Sequence, residues 1–332
     1  MVKRLIVTGP RQAVFEDVAE PRCPDNGLLV RARLTAVSPG TELRVYRAIP
    51  VDEEGKFLHE QIPFALPTEN GYSMVGDVVE VGPQVDGFSV GDRVFVPEPH
   101  KQVAAVAADL ASKLPDTVSD EHAVFLNILG VGDLALRRGE PAPGANIAIV
   151  GQGVIGLSAL AYCRAFGFRT AVVDVDQSRL QVSMQMGADL AISPDLAGFA
   201  ESIREHFDGA GADVAIEAAS NWEAVRTAMQ LARVGGKVVI ASRHTSKPAF
   251  NPVGHPFLGK QLEVLTTYGY PPDGHRWDRR RSFALTIDLL ANGKLDIAPL
   301  ITHRFAWEEL PQVYERLDRG ETDIVGAVID WR

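Results

Sequence analysis

Apolar and polar positions change rhythm near residue 119. Before it, residues 28–38 (LLVRARLTAVS) alternate apolar and polar side chains at every second position, the signature of a half-buried strand. Residues 78–96 (VVEVGPQVDGFSVGDRVFV) are short β-branched runs broken by Gly82-Pro83, Asp86-Gly87 and Gly91-Asp92 turns. This pattern predicts a small, strongly curved β-domain. From about Ser119 helical stretches alternate with apolar runs: IAIV, TAVVDV, LAI, ADVAIEA, KVVIAS and LEVLTTY. Alternation of this kind predicts a parallel, doubly wound α/β sheet with right-handed crossovers. After Tyr270 the first pattern returns. Residues 271–277 predict a loop, 279–293 a helix stopped by Asn292-Gly293, 303–320 a strand then a helix, and 326–331 a closing strand.

One segment of the α/β region carries specific chemistry. An apolar run ends in Gly151-Gln152-Gly153-Val154-Ile155-Gly156, a helical stretch follows, and a second apolar run ends at Asp174. Strand, glycines, helix, strand and acid stand in the order of a dinucleotide fingerprint. Gly151 allows the tight turn, Gly153 lets backbone amides approach a diphosphate, and Gly156 permits close helix–strand packing. The helix N-terminus turns its unpaired N–H groups and partial positive charge toward the anion. Asp174 is placed to accept hydrogen bonds from the adenosine ribose and to repel a 2′-phosphate, so NAD(H) is expected over NADP(H). Arg179 is expected over the adenine.

Length and composition narrow the field. A chain of 332 residues calls for two domains. A net charge of −10 argues against nucleic acid or an anionic membrane surface as partner. No stretch approaches the length of a membrane span, and the opening MVKRLIVTGP is too short an apolar stretch for a signal peptide. Cys23 and Cys163 form no disulfide framework, which fits a reducing cytoplasm. The basic run from Arg276 to Arg281 reads as the solvated first turn of a helix, with anion binding as the alternative.

These segments together resemble the medium-chain dehydrogenase/reductase superfamily. Residues 78–96, the fingerprint, residues 211–220 (GADVAIEAAS) and residues 235–242 (GGKVVIAS) carry the resemblance over essentially the whole chain. It implies a curved, GroES-like β catalytic domain (1–119 and 273–332), a Rossmann dinucleotide-binding domain (120–272) and an active site in the cleft between them. It also implies that Ala218 and Ala219 sit beside the cofactor, that Ser242 and Arg243 lie near the nicotinamide half, and that a homodimer forms through the last Rossmann strand.

Zinc members of this family hold a metal with a Cys in a C-G-T/S-D run, a His in a G-H-E run, and a third Cys or acid before the Rossmann domain. This chain has Pro39-Gly40-Thr41-Glu42 and Gly71-Tyr72-Ser73 in the first two places, and counting back from Arg137-Arg138 puts Asn127 in the third. Proline offers no side-chain ligand, and neutral Tyr and Asn are poor ones, so no zinc is expected. The four cysteines of a structural zinc lobe are also absent. The run Ser38-Pro39-Gly40-Thr41-Glu42 with Gly71-Tyr72-Ser73 resembles a zinc-free branch that includes bacteriochlorophyllide-type dehydrogenases.

Without a metal, another group must stabilise the charge that develops on the substrate oxygen. Tyr72 is the candidate proton donor, Thr41 the relay hydroxyl or else a helix cap, and Asn127 a donor to a carbonyl oxygen. Tyr46 and His244 are substrate candidates, and Glu42 is expected in a structural ion pair. His59 and His100 fall in loops near the expected cleft. The expected activity is interconversion of a secondary alcohol and a ketone on a small cyclic or polyol substrate. Reduction of an activated C=C bond and non-catalytic nucleotide binding are the alternatives.

Overall fold

The computed structural model describes residues 1–49 and 65–332; His59 lies outside them. The N-terminal part runs β1 (Val2–Gly9), β2 (Gln12–Val18), β3 (Gly27–Val37), α1 (Pro39–Arg47), β4 (Thr68–Glu69), β5 (Met74–Val81), β6 (Arg93–Val96), β7 (Val103–Ala107) and β8 (Ser112–Lys113). Next come α2 (Asp120–Ala123), α3 (Leu126–Gly139), β9 (Asn146–Val150), α4 (Val154–Ala165), β10 (Arg169–Val173), α5 (Gln177–Gln185), β11 (Leu190–Ile192), α6 (Phe199–His206) and β12 (Ala212–Glu217). The chain then passes through α7 (Trp222–Leu231), β13 (Ala232–Ile240), α8 (Phe257–Lys260), β14 (Glu263–Thr266), α9 (Arg279–Ala291), β15 (Ile301–Ala306), α10 (Leu310–Asp318) and β16 (Gly326–Asp330).

The six apolar runs of the α/β region become six parallel strands in the order β11-β10-β9-β12-β13-β14. The order reverses between β9 and β12, so a crevice opens at their carboxyl ends. Val, Ile and Ala fill both faces, as burial by helices on both sides demands. The other large sheet runs β15-β16-β3-β5-β6-β8, with β7 also paired to β3. The C-terminal strands β15 and β16 thus return to the sheet that the N-terminal third began. β1, β2 and β4 form a small third sheet.

The largest core cluster joins the halves: Leu34, Val75 and Phe95 of the β-rich part, Ile128 of α3, Ile147 and Ile149 of β9, and Phe283 of α9 share it. Cys163 lies in the same cluster, and burial pushes its thiol well above the ordinary range. Asp278 caps α9 by accepting from Arg281 N at 2.9 Å. The basic run beside it behaves as a packed helix start. The Arg137 guanidinium lies 3.5 Å from the Trp277 ring centroid, and Arg279 donates to the carbonyls of Asp109 and Leu110. No described helix is long and apolar enough to cross a membrane.

Candidate active site

The fingerprint forms the turn that its glycines require. Gly151 adopts φ +93°, a conformation closed to most L-residues. A Cβ on Gly156 would stand 1.8 Å from the Gly151 carbonyl oxygen, so only glycine lets α4 pack onto the turn. Gly153 differs: a Cβ there would meet no other protein atom within 4 Å. That open space lies before α4, whose N-cap is Gly153 and whose first turn has no side-chain cap. An anion would fill both needs.

The carboxylate of Asp174 braces this loop. Its Oδ2 accepts from Gln152 N at 2.6 Å and its Oδ1 from Asp176 N at 2.9 Å, with Arg179 Nη1 3.9 Å from Oδ2. Gln152, fully buried, donates to the Ile149 and Gly151 carbonyls and accepts from Ser183 Oγ. Across the crevice, buried Glu217 at the end of β12 accepts from the amides of Ala219 and Ser220, from Ser242 Oγ and from His244 Nε2. The carboxylate thereby fixes the two loops that flank the β9–β12 crevice.

Two adjoining cavities occupy the cleft. One, of about 990 Å3, is lined by Gly151, Gly153, Asp174, Arg179, Ala218 and Ala219 among others. The second, of about 830 Å3, brings Thr41, Tyr72 and Asn127 together with Val154, Ile155, Ser242 and Arg243. Pro39, Arg44, Gly153 and Arg179 border both, so the cavities communicate.

Helix α1 sorts its side chains by face. Pro39 is its first residue, where the missing N–H and fixed φ suit a helix start. The expected cap at Thr41 is therefore corrected: the N-cap is Ser38, and Thr41 lies inside the first turn. Thr41 and Arg44, three residues apart, border the second cavity. Glu42 and Tyr46, four apart, face α10. Glu42 is fully buried; its Oε2 accepts from Tyr314 Oη at 2.6 Å and from His100 Nε2 at 2.9 Å, and its Oε1 from Ser38 N at 2.7 Å. Thr35 Oγ1 accepts from Trp331 Nε1 and gives its own proton to His100 Nδ1, which leaves Nε2–H to donate to Glu42. The structural partner of Glu42 is thus His100, joined by a hydrogen bond from its neutral ring rather than by the expected ion pair, and leaving either buried group without the other costs about 1–3 kcal/mol.

The same periodicity corrects Tyr46. It is 3% exposed, packs 5.4 Å from the Tyr314 ring, and lines neither cavity. His244 is held by Glu217 and lies 4.7 Å from the Trp222 ring; it also lines neither cavity, although it follows β13 as expected.

At the cleft's deep end Tyr72 Oη donates to Ser38 Oγ at 2.5 Å. Asn127 Nδ2 donates to the Tyr72 carbonyl at 2.6 Å, which pins the backbone rather than presenting the amide to a substrate. Burial first, and the Glu42 carboxylate second among the raising causes, push the Tyr72 phenol up to about 12 against the lowering effect of Ser38, Thr41 and Arg243. The group is a neutral hydrogen-bond donor at neutral pH. Arg44 donates to the Arg243 carbonyl at 2.9 Å, and burial, then the charges of Arg243 and Arg47, hold it below its ordinary value. A cation so placed at the mouth of both cavities favours an anion.

Arg44, Gln152 and Glu217 were not singled out from the sequence, and Ser38 entered only as the first residue of a motif. Glu217 had a signal, an acid closing a buried apolar strand; Arg44 had another, lying one helical turn from Thr41.

The geometry agrees with the relatives. The alcohol dehydrogenase GroES-like domain matches residues 24–135, and the zinc-binding dehydrogenase domain matches residues 154–286. The chain belongs to the medium-chain dehydrogenase/reductase superfamily. Sorbitol dehydrogenase of Arabidopsis thaliana is 29% identical over 305 residues, 78% of each chain. Sorbitol dehydrogenase of Bacillus subtilis is 26% identical over 349 residues, 95% of this chain and 93% of that one. In fold, 2R,3R-butanediol dehydrogenase from Bacillus subtilis matches with a TM-score of 0.83 at 22% identity, covering 100% of both chains. The protein is an NAD(P)-dependent dehydrogenase of the medium-chain type.

The superfamily's zinc does not fit the side chains present. Pro39 starts a helix and has no donor atom, the Tyr72 phenol holds its proton, and Asn127 is bonded to backbone. Among the described residues, no group of three or more His, Cys, Asp or Glu is placed to hold a metal ion. The dinucleotide does fit, since its diphosphate would lie over Gly153 at the α4 N-terminus with Arg44 alongside.

Proposed function

We propose that this dehydrogenase is zinc-independent, uses NAD(H) in preference to NADP(H), and acts on a secondary alcohol or ketone of small cyclic or polyol type. The observation that carries the reading is the replacement of all three metal-ligand positions by Pro39, Tyr72 and Asn127 at one end of the substrate cavity. Residues 120–272 would serve as the cofactor unit, and 1–119 with 273–332 as the catalytic unit.

When bound, the nicotinamide supplies the hydride donor or acceptor. In ketone reduction the Tyr72 phenol gives its proton to the substrate oxygen as negative charge develops there. Thr41, beside the phenol, helps hold that oxygen, and Asn127 keeps the Tyr72 backbone in register. Arg243 adds positive charge at the same end of the cavity. In alcohol oxidation the same phenol, once deprotonated, acts as base. Substrate is sought by following reduced-cofactor absorbance across sorbitol, 2,3-butanediol, cyclic alcohols and cyclic enones. Turnover of a secondary alcohol supports the reading, and turnover confined to enones rejects it.

The cofactor preference rests on Asp174, which the amides of Gln152 and Asp176 hold in place as a carboxylate. A 2′-phosphate beside it would meet like charge at short range, partly offset by Arg179. Fluorescence titration is expected to give at least tenfold tighter binding of NADH than of NADPH, about 1.4 kcal/mol. Equal or tighter NADPH binding would reject the preference. The exposed edge strand β14, with Val264 and the nearby Tyr268 accessible, supports assembly as a homodimer.

A further inference from the structure

The serine before α1 departs from its ordinary use. Ser38 is the N-cap of α1, where a serine hydroxyl usually accepts from an amide of the first turn. Here it makes no such bond. The helix start is tied instead by Glu42, in the fourth helical position, whose Oε1 accepts from Ser38 N at 2.7 Å. The Ser38 hydroxyl is committed to the Tyr72 phenol at 2.5 Å. Ser38 is 3% exposed, yet it borders the same cavity as Thr41, Tyr72 and Asn127.

We propose that Ser38 is a positioning residue: its hydroxyl, set in place by Glu42, aims the Tyr72 hydroxyl at the substrate oxygen and steadies the phenolate left after proton transfer. The inference rests on the reading of Tyr72 as proton donor. Two observations and the chemistry of a hydroxyl converge on it. Glu42 cannot shift, because His100 and Tyr314 hold its other oxygen inside the core. The Tyr72 main chain cannot shift either, because Asn127 Nδ2 holds its carbonyl and the neighbouring Ser73 Oγ donates to the Val124 carbonyl. The phenol is thus fixed at its backbone end by α3 and at its hydroxyl end by Ser38. A hydroxyl also suits both protonation states, since it accepts from a phenol and, on turning its own O–H, donates to a phenolate.

The step balances. In reduction the carbonyl carbon takes the hydride pair from reduced nicotinamide, and the C=O π pair moves onto oxygen. With substrate bound, the Tyr72 O–H turns from Ser38 Oγ to the substrate oxygen, and it breaks as the product O–H bond forms. The Ser38 O–H then turns to donate to the Tyr72 phenolate, and a proton from water restores the phenol. The charged groups acting on Tyr72 are Glu42 of α1, which favours the phenol, and Arg243 after β13, which favours the phenolate.

Proton NMR of the intact protein tests this without a substrate. A hydroxyl proton held in the short Tyr72–Ser38 bond is expected as a slowly exchanging downfield resonance in the native protein and in Ser38→Thr. It is expected to vanish in Tyr72→Phe and in Ser38→Ala. Kinetics supply the second readout: Ser38→Ala should lower kcat for alcohol oxidation about tenfold at fixed pH, the worth of one hydrogen bond to a charged group. KM and NADH binding should stay unchanged, and Ser38→Thr should recover most of the loss. A resonance that persists in Ser38→Ala, or a kcat that does not fall there while Tyr72→Phe is impaired, overturns the role of Ser38 alone. Unimpaired Tyr72→Phe overturns the reading of Tyr72 beneath it.

Discussion

Tyr72→Phe is expected to bind NADH as the native protein does and to lose turnover by about 10²- to 10⁴-fold, the usual worth of a positioned general acid. The substitution keeps the ring that fills the cavity wall and removes only the hydroxyl. Its pH behaviour carries a sign that a structural role would not produce. Burial and Glu42 hold the phenol up to about 12, so its proton is present throughout the neutral range. Ketone reduction, which needs the proton, should be flat from about pH 6 to pH 9. Alcohol oxidation needs the phenolate, whose fraction grows tenfold per pH unit below the pKa, so its kcat should climb about tenfold per unit, roughly a thousandfold from pH 6 to pH 9. The climb in oxidation should be absent from the residual activity of Tyr72→Phe. Full turnover in that variant, or oxidation that is flat with pH, would remove the phenol from the chemistry.

The second large effect separates two glycines of one motif. A Cβ on Gly153 meets no other protein atom within 4 Å, and this residue's φ of −76° suits any side chain. Gly153→Ala should therefore fold and melt like the native chain while its methyl group crowds the diphosphate. NADH affinity should fall about a hundredfold, roughly 2.7 kcal/mol. A Cβ on Gly156 collides instead with the Gly151 carbonyl at 1.8 Å, so Gly156→Ala must separate α4 from the turn. That variant should lose affinity and melt several degrees lower. Thermal melts beside NADH titrations read the contrast. Unchanged NADH binding in Gly153→Ala would place the diphosphate elsewhere.

The cofactor half of the fold was legible because its signals are local. Each buried strand is a contiguous apolar run, and the fingerprint keeps its glycines, helix and acid within one βαβ unit. The substrate half was less legible because its partners meet only in three dimensions. Glu42 could be expected in an ion pair, but His100 and Tyr314 come from distant segments that no spacing rule connects. Tyr46 illustrates the same limit. Its position four residues after Glu42 puts it on the core face of α1, and only the packing of α10 identifies that face as the core. Thr41 reads from the sequence as either relay hydroxyl or helix cap; Pro39 at the first helical position gives the cap to Ser38 and leaves the Thr41 side chain to border the cavity. His244 followed the rule that ligands gather at strand carboxyl ends, yet Glu217 draws it away from the open crevice.

The central claim is that this dehydrogenase works without the metal of its superfamily, with a buried phenol where relatives place a Lewis acid. Metal content of the purified enzyme, measured by mass spectrometry before and after dialysis against a strong chelator and paired with turnover, tests it most directly. The expected result is well under one zinc per chain, with activity unchanged by the chelator. One tightly held zinc per chain, whose removal abolishes turnover and whose return restores it, would contradict the account.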